Sequence, residues 1–173
     1  MGIFSTILSN MQNMKKAKKI RNSPKEDILA LDDGDFFDAI ECVCEDAVFD
    51  IKDSTINEEQ KLVYSLIKLE AEVNNGGVCQ FFVNSSRECA PYVSKALEVI
   101  GATQLKELYD NFIDSNNIDV NDLSSFKISE VEDFESQTQR YDFESFDDKF
   151  YEDENLHNQI IEYSKNNLEK ILK

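Results

Sequence analysis

Glu72, Asn74, Gln80 and Asn84 are the side chains whose types and spacing come nearest to a polar site. Positions 80 and 84 lie one helical turn apart and so share a face. A carboxylate with neighbouring carboxamides can bind and orient a group, but it offers no nucleophile. No histidine lies near it in sequence to act as a base. The expectation is therefore structural: these residues satisfy backbone groups freed by an abrupt turn at Asn74-Asn75-Gly76-Gly77, as buried polar groups must be satisfied. Cys79 could serve as a nucleophile only with an identifiable base, and His157, the one histidine, is distant along the chain. An enzyme is not expected.

Metal chemistry has equally little to work with. Cys42 and Cys44, two apart on a helix, point about 200° away from each other, a poor chelate and an impossible local disulfide. Cys79 and Cys89 form no C-x-x-C pair, so four reduced thiols on apolar faces of a cytoplasmic protein are expected. The run Asp32-Asp33-Gly34-Asp35 lacks the alternating acids and closing glutamate of a calcium loop. It reads instead as the start of a helix, with Asp35 as the cap and Asp38 in the first turn. No metal and no cofactor are expected.

These residues must be positioned by helices. The chain has 173 residues with only five glycines and two prolines, which favours an all-α class and one compact multi-helix domain. Ser23-Pro24-x-Glu26 predicts a short helix, and residues 36–49 a stronger one. Asn57-x-x-Gln60 opens a helix over 58–73, stopped by the Asn-Asn-Gly-Gly turn. Further helices are predicted over 77–85, 90–100 and 104–114, the last capped by Thr103, and over 155–172. The stretch Leu69–Ala102 is the most apolar long segment and holds Gly76, Gly77 and Gly101, so it reads as the structural hub.

Charge is the loudest global signal. Residues 1–22 hold five basic side chains and no acid, leaving the remaining chain 13 bases against 35 acids, a net of −22. That field repels nucleic acid and favours a basic partner, approached quickly and in a salt-sensitive way. Between residues 114 and 154 fourteen acids face three bases, with phenylalanines and tyrosines interleaved. So many rings speak against a disordered tail and for short helices and loops pinned by them. Residues 1–22 form a separate basic segment. Ile3, Phe4, Ile7, Leu8, Met11 and Met14 recur at helical spacing ahead of Lys15, Lys16, Lys18, Lys19 and Arg21. The expectation is an appended amphipathic helix packing through its apolar stripe on residues 23–173 or on a second copy, with contact to a membrane surface as the alternative.

Glu72-x-Asn74-x-Gly76-Gly77-x-x-Gln80-Phe81-Phe82-x-Asn84 resembles the signature of a bacterial family named for a DNA mimic protein. Ala96-Leu97-Glu98-Val99-Ile100-Gly101-Ala102 and Phe146-Asp147-Asp148-Lys149-Phe150-Tyr151 resemble later elements of the same family, in the same order. The likeness covers about residues 36–172 and leaves residues 1–22 outside. Val78-Cys79 and the basic segment depart from the pattern. The resemblance implies a non-catalytic acidic protein, in the founding member a dimer, that occupies the DNA site of a basic DNA-binding protein. Glu72, Asn74, Gly76, Gly77, Gln80, Phe81 and Asn84 are its family-motif residues here.

Mimicry needs carboxylates set like backbone phosphates on a rigid scaffold. Residues three or four apart on a helix bring side chains about 5–6 Å apart. The candidates for a partner-binding surface are Asp114, Asp119, Asp122, Glu130, Glu132, Asp133, Glu135, Asp142, Glu144, Asp147 and Asp148. A second group comprises Asp32, Asp33, Asp35, Asp38, Glu41, Glu45 and Asp46. An immunity or antitoxin-like inhibitor that plugs a toxin such as a nuclease would use the same physics, and a membrane-peripheral adaptor would use residues 1–22 instead.

Overall fold

The computed structural model describes residues 3–47, 56–128 and 131–173, with the backbone alone for residues 3–11, 131 and 132. Among the described residues every regular element is helical, so the fold is all-α. The chain divides into two compact units, residues 1–64 with 161–173, and residues 65–160.

The first unit contains α1 (Ile3–Arg21), α2 (Lys25–Leu29), α3 (Asp33–Ala47), the opening turns of α4 (Glu58–Val83), the end of α9 (Leu156–Asn166) and α10 (Leu168–Ile171). Phe36, Ile40, Val43, Leu62, Val63, Leu168 and Ile171 form its core. The expected capping box opens α4: Asn57 Oδ1 accepts from the Gln60 amide at 2.9 Å and Gln60 Oε1 from the Asn57 amide at 3.2 Å. The same two side chains donate to the carbonyls of Lys170 and Ile171 at 2.9 and 2.8 Å, which ties the C-terminal turn to the start of α4.

Three expected caps move by a few residues. Ser23 closes α1, its hydroxyl donating to the Lys19 carbonyl at 3.0 Å, and does not cap α2. Asp32, rather than Asp35, caps α3, accepting from the Asp35 amide at 2.9 Å. Helix α6 begins at Thr103 itself, with Ala102 at the cap position and no side-chain cap. In each case several polar side chains crowd one turn, and tertiary packing selects among them. The end of the helix expected over 36–49 includes Val48 and Phe49, which lie outside the described residues.

Helix α1 packs on α3, and of the expected apolar stripe only Met14 has its side chain among the described residues, positions 3, 4, 7, 8 and 11 lying outside them. Ala17 is fully buried, the Asn13 carbonyl accepts from the Cys42 thiol at 3.5 Å, and Arg21 donates to the Val43 carbonyl at 2.9 Å while pairing with Asp46. Met14, the last apolar position of the stripe, is 59% exposed.

The second unit holds the rest of α4, a 3-10 turn over Ser85–Cys89, α5 (Ala90–Ile100), α6 (Thr103–Ser115), a 3-10 turn over Ser124–Phe126, α7 (Val131–Thr138), α8 (Phe143–Tyr151) and the start of α9. Gly101 ends α5 at φ 80°, a left-handed cap. The rings of the acidic stretch do pin it. Phe82 stacks on Phe126 at 5.0 Å between centroids, and Phe112 meets Phe143 and Phe146 at 5.6 and 5.3 Å. Arg140 lies over both Phe126 and Tyr141, at 5.4 and 5.2 Å. The predicted final helix is interrupted between Asn166 and Leu168, giving α9 and α10.

Candidate functional site

Helix α4 is broken where the glycines predict it. Gly76 is extended at φ −166°, and Gly77 takes φ 78°, a value that favours glycine. The break frees backbone groups on both sides, and α8 supplies their partners. Asp147 Oδ1 accepts from the Val78 amide at 2.7 Å, holding the N-terminal side of the helical stretch that runs to Val83. Tyr151, one turn along α8, donates its hydroxyl to the Val73 carbonyl at 2.6 Å. A side chain at residue 77 would strike the Asp147 carboxylate, so the positive φ and the approach of Asp147 both demand glycine there. Burial pushes the Asp147 carboxyl up, and the Val78 amide pulls against that shift.

Glu72, Gln80 and Asn84 converge beside the break, as their spacing suggested. Glu72 Oε2 accepts from Gln80 Nε2 at 2.7 Å and from Asn84 Nδ2 at 2.8 Å, while Oε1 accepts from the Ser86 hydroxyl at 2.9 Å. These side chains satisfy one another, whereas the backbone of the turn is held by Asp147 and Tyr151. A side chain at residue 76 would collide with the Gln80 carboxamide, which Glu72 fixes in place. Asn74 is exposed and its side chain makes no hydrogen bond among the described residues, and Phe81 is fully buried. Sequence reasoning missed Ser86 and Tyr151. The one available signal for Tyr151 was that its motif and the glycine motif occur together.

Reactive groups are muted. All four cysteines are buried and none forms a disulfide. Burial pushes the Cys42 thiol up, that of Cys79 up to about 11 and that of Cys89 up to about 12, far from the thiolate form a nucleophile needs. His157 is exposed on α9 and faces Glu70 at 3.2 Å.

The acidic candidates divide. Asp114, Asp119, Asp122, Glu135, Asp142, Glu144 and Asp148 are exposed, and none lies within ion-pair distance of a lysine or arginine among the described residues. Three of them also brace local turns: Asp119 accepts from Asn121, Asp122 from Ser124, and Asp142 from Ser145 at the start of α8. Asp133 is exposed too. Asp147 is turned inward to the glycine break. Glu130 and the side chain of Glu132 lie outside the described residues. In the other unit Asp33 pairs with Lys165 at 2.6 Å and Asp46 with Arg21, and Glu41 and Glu45 are half-buried. Charge is thus partly neutralised on α3 and, through the 2.6 Å pair of Lys106 with Asp110, on α6, while Asp114, Glu144 and Asp148 stay open among the described residues.

Two packed helices, α6 and α8, carry that open charge. Glu144, Asp148 and Glu152 follow one another at four-residue steps at and just beyond α8, and Glu107 and Asp114 are exposed on α6. A cleft of about 300 Å³ is lined by Gln104, Leu105, Leu108, Lys149, Glu152 and Asp153. A four-residue step advances about 6 Å along a helix, against about 3.4 Å per charge on one DNA strand. One row supplies about half the charge density of a strand, so two adjacent rows are needed to approach it.

A model of the family described as DMP19-like protein matches residues 54–167. The chain belongs to the DMP19-like family. No curated protein and no solved structure matches it. The DMP19-like match takes in the glycine break, the α8 residues that clamp it and the Glu72 cluster, and it leaves α1 and α3 outside. Two of the stretches that carry the resemblance, the glycine break and the α8 segment, are joined in the structure by the Asp147–Val78 and Tyr151–Val73 bonds.

Proposed function

We propose that this protein is a non-catalytic DNA mimic: its acidic helical faces bind a basic nucleic-acid-binding protein and block that protein's DNA site. The observation that carries the reading is the set of exposed carboxylates on α6 and α8, Asp114, Glu144 and Asp148, that have no ion-pair partner among the described residues, with α8 fastened to the glycine break by the Asp147–Val78 bond. Membership of the DMP19-like family supports it. The buried, high-pKa thiols and the saturated Glu72 carboxylate support a binding role over a catalytic one.

Affinity capture at low ionic strength, followed by elution in steps of rising salt, tests the proposal. The expected result is a basic DNA- or RNA-binding protein that leaves at moderate salt, since screening shortens to about 8 Å at physiological ionic strength. A captured nuclease toxin whose active site is plugged would favour the inhibitor reading instead. Retention that ignores salt would contradict both.

A further inference from the structure

The cleft at the C-terminal end of α8 is lined by two kinds of chemistry. Leu105, buried, and Leu108, half-buried, stand one turn apart on α6 and give it an apolar wall. Helix α8 and the turn after it contribute Lys149, Glu152 and Asp153, and α6 adds the Gln104 carboxamide. Asp153 is fixed in place: its Oδ1 accepts from the Asn155 and Leu156 amides at 2.8 and 2.9 Å, at the start of α9. Lys149 stands three and four residues from the two acids, yet neither Lys149 nor Glu152 has an ion-pair partner among the described residues. One base against two acids gives the lining a net of −1. Asp148 and Glu144 continue the acid row along α8 from Glu152. At about 300 Å³ the cleft lies at the small end of ligand sites and matches a single side chain.

We propose that this cleft takes one arginine side chain of the basic partner proposed above. The aliphatic stem lies along Leu105 and Leu108, and the guanidinium donates to the Glu152 carboxylate and to the Gln104 carboxamide. Charge complementarity selects a cation, because the lining is net negative and residues 23–173 carry a net of −22. The apolar wall selects a cation on a long stem. Arginine is favoured over lysine because a guanidinium is less strongly hydrated and forks onto a carboxylate. An arginine that grips a phosphate on DNA finds in Glu152 an acceptor of the same sign that it can grip with the same fork. Lys149 opposes this guest. Its exposed head is the one unfavourable charge in the lining, so removing it has an effect whose sign only a cationic guest predicts.

The test is titration of the full chain with N-acetylarginine amide, followed in amide proton–nitrogen NMR spectra. Signals of residues 104–108 and 149–153 should shift and saturate in the millimolar range. N-acetyllysine amide should bind at least about twofold more weakly. N-acetylcitrulline amide, the neutral isostere, should leave the signals in place. Glu152→Gln should weaken arginine binding by about two- to fivefold, the worth of an exposed ion pair. Lys149→Gln should tighten it by a similar factor. Unmoved signals elsewhere in the spectra show that both variants stay folded. Equal shifts with the citrulline amide, or none with the arginine amide, overturn the proposal. Shifts with N-acetylglutamate amide that are lost in Lys149→Gln also overturn it and make an anion the occupant. The free amide tests the cleft without any partner, whereas capture and competition with DNA test mimicry, so the cleft and the mimic reading fail separately.

Discussion

Asp147 on α8 and Val78 beyond the glycine break are joined by a 2.7 Å hydrogen bond across 69 residues of sequence. With the Tyr151–Val73 bond, it lets a single turn of α8 hold both sides of the interruption in α4. The helix that carries open acids is thereby fastened to the most conformationally demanding point of the chain.

Gly77→Ala should lower stability by about 1–3 kcal/mol, because it places a side chain both at positive φ and against the Asp147 carboxylate. Asp147→Ala should relieve the collision but leave the Val78 amide without its partner. In a double-mutant cycle by urea denaturation the two losses should therefore fall short of additive. Simple additivity would show that Asp147 and Gly77 do not meet.

Tyr151→Phe removes one donor and leaves the Val73 carbonyl short of a partner. The expected loss is about 0.5–1.5 kcal/mol. Amide hydrogen exchange should quicken around residues 73–78 before it does elsewhere.

Glu70 and Asp147 both have carboxyls pushed up by burial, Glu70 against the opposing pull of His157. A raised folded-state value means that the folded protein holds its proton longer than the unfolded chain. Stability is then fully present below the ordinary carboxylate range, about pH 4, and declines as pH rises through the raised values. Glu70→Gln removes its share of that decline, so wild type should lose melting temperature relative to the variant as pH climbs from about 4 to about 6. A difference that stays constant across this range would contradict the assignment. Glu59, held low by its bond to Lys170, acts with the opposite sign and is lost as pH falls.

Asn57→Ala should cost about 1 kcal/mol or somewhat more, because Asn57 both caps α4 and donates to the Lys170 carbonyl. Thermal melts against Asn74→Ala, at an exposed position without such bonds, give the comparison.

The capping box at Asn57 and Gln60, the glycine break and the left-handed cap at Gly101 were legible because each is settled within a few residues. The caps at Ser23, Asp35 and Thr103 were misplaced because polar neighbours compete for the same amides and packing chooses. Two features lay beyond local reasoning. Asp147 is an acid among acids in sequence, and only the fold reveals that it faces the break. Periodicity finds an apolar stripe on α1 but not that Ala17, which is no part of it, is fully buried. Open charge belongs to an ensemble of exposed side chains, so composition suggested a basic partner while the faces that carry the charge had to be seen.

The most direct measurement is competition. A captured basic partner bound to labelled duplex DNA is titrated with this protein and with a Glu144→Lys, Asp148→Lys variant. The wild type should displace the DNA completely and reciprocally, with an affinity that falls steeply with salt, while the variant should fold normally and displace at least about tenfold less well. Formation of a ternary complex in which the DNA stays bound would contradict mimicry.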